Sequence, residues 1–72
     1  MTREEFLTEM QDVLQTDAEL KFETVLADLD EWDSLSIMAT MAFIDKNFGI
    51  KLRAVDIKAM NLIEDLAKKA GI

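Results

Sequence analysis

The sequence predicts a small all-α protein, a four-helix bundle with a long loop between helices 1 and 2 and a short third helix. Three observations carry that expectation. Apolar residues recur at helical spacing in the first, middle and last thirds of the chain. Helix start and stop signals bracket those stretches. Half of the 72 residues are hydrophobic and 32% are charged, the balance of a globular chain rather than a disordered one. A chain this short buries only ~60% of the surface it exposes when unfolded, so a single domain over 1–72 with a thin core is expected.

Helix 1 opens at Thr2-Arg3-Glu4-Glu5, a capping-box pattern with Thr2 as N-cap and Glu5 three residues on. Phe6, Leu7, Met10, Val13 and Leu14 then form one stripe, which predicts a helix from about Arg3 to Gln15. Residues 16–33 read as a long connection. Leu20, Phe22, Val25, Leu26 and Leu29 are scattered through it without a period, so the loop is expected to be pinned onto the core, with a helical turn near Glu23–Leu29.

Helix 2 is predicted from Ser34 or Leu35 to about Phe48. Asp33 is a good N-cap, and Ser34 can cap instead. Asn47-Phe48-Gly49 supplies the stop, with Gly49 free to turn left-handed. Leu35, Ile37, Met38, Ala39, Met41, Ala42, Phe43 and Ile44 make this helix apolar nearly all round. So small a domain cannot bury all of that, so part of it faces solvent or a partner. Ile50-Lys51-Leu52 reads as an extended link and Arg53–Lys58 as a short helix. Asn61 then looks like an N-cap with Glu64 three residues later, opening a last helix over about Leu62 to Ala70. That helix is expected to bury Leu62, Ile63, Leu66 and Ala67. Lys68 and Lys69 complement its dipole, and Gly71 ends it.

Composition narrows the function. There is no Cys and no His, which removes disulfides, a thiolate nucleophile of the chain's own and the usual zinc ligands. So few convergent titratable groups disfavour an enzyme. The net charge is −7. Residues 1–33 hold eleven acids against two bases, a net of −9, and residues 34–72 hold four acids against six bases, a net of +2. This argues against nucleic acid, whose phosphates need clustered Lys and Arg. It favours basic protein partners, although acids also simply keep a small protein dissolved. No apolar run reaches the ~20 residues of a membrane span, and no apolar signal core follows Met1, so a cytoplasmic monomer is the expectation.

The run Glu31-Trp32-Asp33-Ser34-Leu35-Ser36 lies where the acidic stretch meets the apolar helix. Ser34 at the mouth of helix 2 faces unpaired backbone N–H groups and the positive end of the helix dipole, so a phosphodiester on it would be stabilised. Leu35 and Met38 lie within one turn and Ala42 one turn further, an apolar strip beside whatever the serine carries. Methionine suits a surface that repacks against several partners. The plainer reading is that Asp33 and Ser34 are only caps. A calcium loop started at Asp28 fails, because Asp33 falls where Gly is required and Ala39 where a bidentate Glu is required.

Asp33-Ser34-Leu35 opening an apolar helix, with Phe48 closing it and a short third helix before a fourth, resembles the acyl carrier protein family, including the peptidyl carriers. The resemblance covers essentially the whole chain. It implies an acyl-carrier-like bundle in which Ser34 receives 4′-phosphopantetheine from coenzyme A. It also implies that Asp33 and Leu35 belong to the motif read by a phosphopantetheinyl transferase. The arm's thiol would carry acyl groups as thioesters, which fits a chain without Cys. Further implied partners are an acyl-loading ligase or acyltransferase and downstream synthase or transferase enzymes. Trp32 before the motif is more similar to free-standing carriers of specialised pathways than to the fatty-acid-synthesis type. In that type basic partners dock on acids along helices 2 and 3. Here those stretches hold Ala39, Lys46, Asn47, Lys51, Arg53 and Lys58, and only Asp45 and Asp56 are acidic. The expected partner surface is therefore Leu35, Met38 and Ala42, with Asp30, Glu31, Trp32, Asp33 and Asp45 around it. Met41, Ile44, Ile57, Met60 and Ile63 are expected to line either a space sheltering the acyl chain or an ordinary core. The alternatives to an acyl carrier are an aminoacyl or peptidyl carrier and an unmodified helical interaction module.

Overall fold

A computed structural model describes residues 1–72 as four α-helices: α1 Arg3–Leu14, α2 Ser34–Phe48, α3 Ala54–Lys58 and α4 Ile63–Ala70. There is no strand. The long connection contains a single 3₁₀ turn at Leu26–Asp28, within the stretch predicted to turn. The whole measures 27 × 25 × 18 Å.

The helix α1 begins as its sequence dictates. Thr2 Oγ1 accepts from Glu5 N at 3.0 Å, and the Glu5 carboxylate accepts from Thr2 N at 2.8 Å. It ends at Leu14 because Gln15 turns left-handed, with φ 53°. Phe6, Met10 and Leu14 are its buried stripe. They meet α2 through an aromatic cluster in which the Phe6, Phe43 and Phe48 ring centroids lie 5.8 to 6.2 Å apart. Such tilted and edge-on contacts are the preferred aromatic geometries. Ile44, Ile57, Ile63, Leu66 and Ala67, none of which has any solvent access, complete the core.

The loop is anchored by Leu20 and Leu26, both buried, while Phe22, Leu29 and Trp32 pack against the core from its edge. Val25 departs from the expectation, being 39% exposed, and contributes through its backbone instead. It forms an isolated antiparallel bridge with Leu62. Leu26 N donates to Asn61 O at 2.8 Å, Ile63 N to Thr24 O at 3.1 Å and Glu64 N to Phe22 O at 2.9 Å.

That pairing corrects the predicted start of the last helix. Asn61 is not its N-cap, and Glu64 does not close a capping box. Residues 61–62 are held extended against the loop, so α4 starts at Ile63 with Leu62 as N-cap. Asp65, not Glu64, supplies the capping carboxylate and accepts from both Asn61 N and Leu62 N at 2.9 Å. Leu62, expected inside the last helix and buried, precedes it and is half-buried. Glu64 turns to Arg3, whose guanidinium also donates to Ile72 O at 2.6 Å and lies 4.1 Å from the Phe22 ring centre. One side chain thus ties α1, the loop and the end of α4 together.

Candidate functional site

The start of α2 is built by two residues that Ser34 separates. Asp33 is the N-cap, and its Oδ1 accepts from Ser36 N at 3.0 Å. Ser36 Oγ accepts from Asp33 N at 2.8 Å and lies 3.0 Å from Asp33 O, to which it donates. This is a capping box with serine where Glu or Gln is usual. Ser36 is accordingly 7% exposed. Behind it, buried Thr40 Oγ1 donates to Ser36 O at 2.8 Å.

Ser34 takes no part in any of this. It is the first residue of the helix, exposed, and the hydroxyl bonds of this turn all belong to Ser36 and Asp33. No acceptor of the protein meets the N–H groups of Ser34 or Leu35, the usual condition of a first helical turn. A nucleophilic oxygen stands free beside two free donors. The competing possibility that Ser34 itself caps the helix is excluded by this geometry, because the cap is already made. Sequence reasoning missed Ser36, whose only signal was its place three residues after Asp33.

Six of the other predicted residues divide between two hollows that α2 lines, and Asp30 and Trp32 line neither. Glu31, Asp33 and Leu35 line a hollow of about 340 Å³ together with Ser36, Ala39 and the end of α1 at Val13, Leu14 and Gln15. Met38, Ala42 and Asp45 line a groove of about 410 Å³ with Met41, Lys51 and Leu52. Between them Leu35 is 77% and Met38 64% exposed. Asp30 and Ala42 are exposed as well. Trp32 is half-buried and packs against the core, so most of its indole anchors the loop. Lys51 and the α1 residues were not foreseen.

The five side chains expected to line either a sheltered space or the core also divide. Ile44, Ile57 and Ile63 have no exposure and belong to the core. Met41 and Met60 are half-buried at its edge, and Met41 lines the groove. No group of three or more acidic side chains converges to hold a metal ion. No helix is long and apolar enough to cross a membrane. No family model, no curated protein and no solved structure matches the chain.

Proposed function

We propose that this chain is a discrete acyl carrier protein of a specialised pathway, with Ser34 the attachment point of a 4′-phosphopantetheine arm. The observation that carries the proposal is the division of labour between the two serines. Asp33 and Ser36 make the cap, leaving the Ser34 hydroxyl exposed and unused at the positive end of α2. The order of long helix, anchored loop, helix, short helix and helix supports the acyl-carrier arrangement. When bound, the arm would supply the thiol that this Cys-free chain lacks. The chain's own residues would do three things. The free N–H groups of Ser34 and Leu35 would donate to the phosphodiester. Asp33 would hold the helix start and mark it for the transferase. Leu35, Met38 and Ala42 would meet partner enzymes, with Asp30, Glu31 and Asp45 supplying charge.

Incubation with coenzyme A, magnesium and a broad-specificity phosphopantetheinyl transferase is expected to raise the intact mass by one arm. Ser34→Ala should abolish the gain, and Ser36→Ala should not. An unchanged mass with several transferases would sink the proposal. The exposed Leu35 and Met38 also favour a second reading, an unmodified interaction module, for which Ser34→Ala leaves partner binding intact.

A further inference from the structure

The Ser34 hydroxyl has no hydrogen bond within the protein, so its backbone alone sets where that oxygen stands. First helical turns fray, because their N–H groups have no partner within the helix. This one is held by Ser36. Its Oγ accepts from Asp33 N at 2.8 Å and donates to Asp33 O at 3.0 Å, while Ser36 N donates to Asp33 Oδ1 at 3.0 Å. Asp33 O also accepts from Ile37 N at 2.9 Å. Asp33 O and Ser34 N belong to one planar peptide unit, so two bonds to that oxygen fix the plane from which Ser34 hangs. A hydroxyl can accept and donate at once, whereas ionised Glu, usual at this position of a capping box, only accepts. Ser36 is itself immobilised. It is 7% exposed, and its carbonyl accepts from the hydroxyl of fully buried Thr40 at 2.8 Å.

We infer that Ser36 is a positioning residue for the loading of Ser34. Its hydroxyl holds the Asp33–Ser34 peptide, and that peptide aims the Ser34 oxygen and keeps the free Ser34 N–H in place. Ser36 touches no reacting atom and acts through Asp33. The inference rests on the carrier reading and adds the residue that prepares its attachment point. In the loading step the Ser34 oxygen bonds the phosphorus that bears pantetheine, and the pyrophosphate bond of coenzyme A breaks. Adenosine bisphosphate leaves, and the serine proton passes to a base of the transferase. A frayed turn lowers the fraction of molecules that present Ser34 correctly, so it raises the apparent KM and spares kcat.

Initial rates of loading, measured against the concentration of the full chain with coenzyme A, magnesium and a broad-specificity transferase, test it. Losing a cap is worth about fivefold, so Ser36→Ala is expected to raise KM about fivefold with kcat within about twofold of the parent. Its full mass gain is still reached with time. Ser36→Thr keeps the hydroxyl and should restore the parent KM. Thr2→Ala removes the cap of α1, where Thr2 Oγ1 accepts from Glu5 N at 3.0 Å, and should leave KM unchanged. That variant separates positioning of Ser34 from loss of stability at large. In the protein without an arm, amide exchange at Ile37 should quicken about fivefold in Ser36→Ala. Exchange at Gly49, whose N–H reaches Asp45 O at 2.9 Å at the other end of α2, should not change. A parent-like kcat/KM for Ser36→Ala overturns the inference, as does an equal loss in Thr2→Ala or unchanged exchange at Ile37. A parent chain that takes no arm sinks the carrier reading and the inference with it, whereas a loaded parent with any of those results sinks the inference alone.

Discussion

Inward, α2 presents Ser36, Ile37, Thr40, Phe43 and Ile44, all buried. Outward it presents Ser34, Leu35, Met38 and Ala42, all exposed. Each face has a serine and several apolar side chains, so residue type does not separate them. What separates them is whether the protein already provides a partner. The inner serine is spent on the cap and the inner apolar groups on α1 and the core. Their outer counterparts stay largely uncovered, flanked only by the walls of the two hollows.

The sharpest break of that comparison is a truncation on each face. Ile44 has no exposure, so Ile44→Ala should cost about 2–5 kcal/mol. A domain of this size has only about 4–11 kcal/mol to lose, so the urea midpoint should fall steeply. Met38→Ala, on the face that is 64% exposed there, should move stability by no more than about 0.5 kcal/mol. Similar midpoints for the two variants would mean that the faces are not distinct.

The next effect is smaller and separates the serines. Ser36→Ala removes half of the reciprocal cap and should cost about 1 kcal/mol, because Asp33 N loses its acceptor. Ser34→Ala should leave the denaturation midpoint within about 0.5 kcal/mol, since no contact of its hydroxyl is lost. Equal losses would show that Ser34 shares the cap and is not free.

These two faces also show what the sequence could reveal. The bounds of α2 were legible, because Asp33 at its start and the left-handed Gly49 at its end (φ 69°) act on their own neighbours. Which serine was free was harder to see, since Asp33 and Ser34 are both good caps and Ser36 sits where Glu or Gln is the usual partner. The start of α4 was misread for a different reason. Asn61 and Glu64 form a good local signal, but residues 22–26 bind the backbone at 61–64 from nearly forty residues away, and no periodicity announces that pairing. For the same reason the loop's anchors were named without knowing that Val25 would face outward. Local chemistry was readable, and non-local backbone pairing was not.

The smallest effect concerns acid. The starts of α1, α3 and α4 each rest on a carboxylate, and none of the three lies on the outer face of α2. Thr2 N–H holds the Glu5 carboxyl below its ordinary range, Arg53 N–H does the same for Asp56, and Leu62 and Asn61 N–H groups do so for Asp65. A depressed pKa means that the ionised form is favoured in the fold. Its contribution is complete above the ordinary carboxylate range near about pH 4 and is lost as pH falls through that range toward the folded value. Stability should therefore decline with acid from the helix starts. Asp65→Asn keeps an acceptor oxygen but cannot titrate, so its urea midpoint should fall less between about pH 5 and pH 2 than that of the parent chain. Met38→Ala should keep the parent's slope, because no carboxylate depends on that side chain. If Asp65→Asn matched the parent slope and Met38→Ala did not, the acid sensitivity would lie on the outer face of α2 and the separation of the two faces would fail.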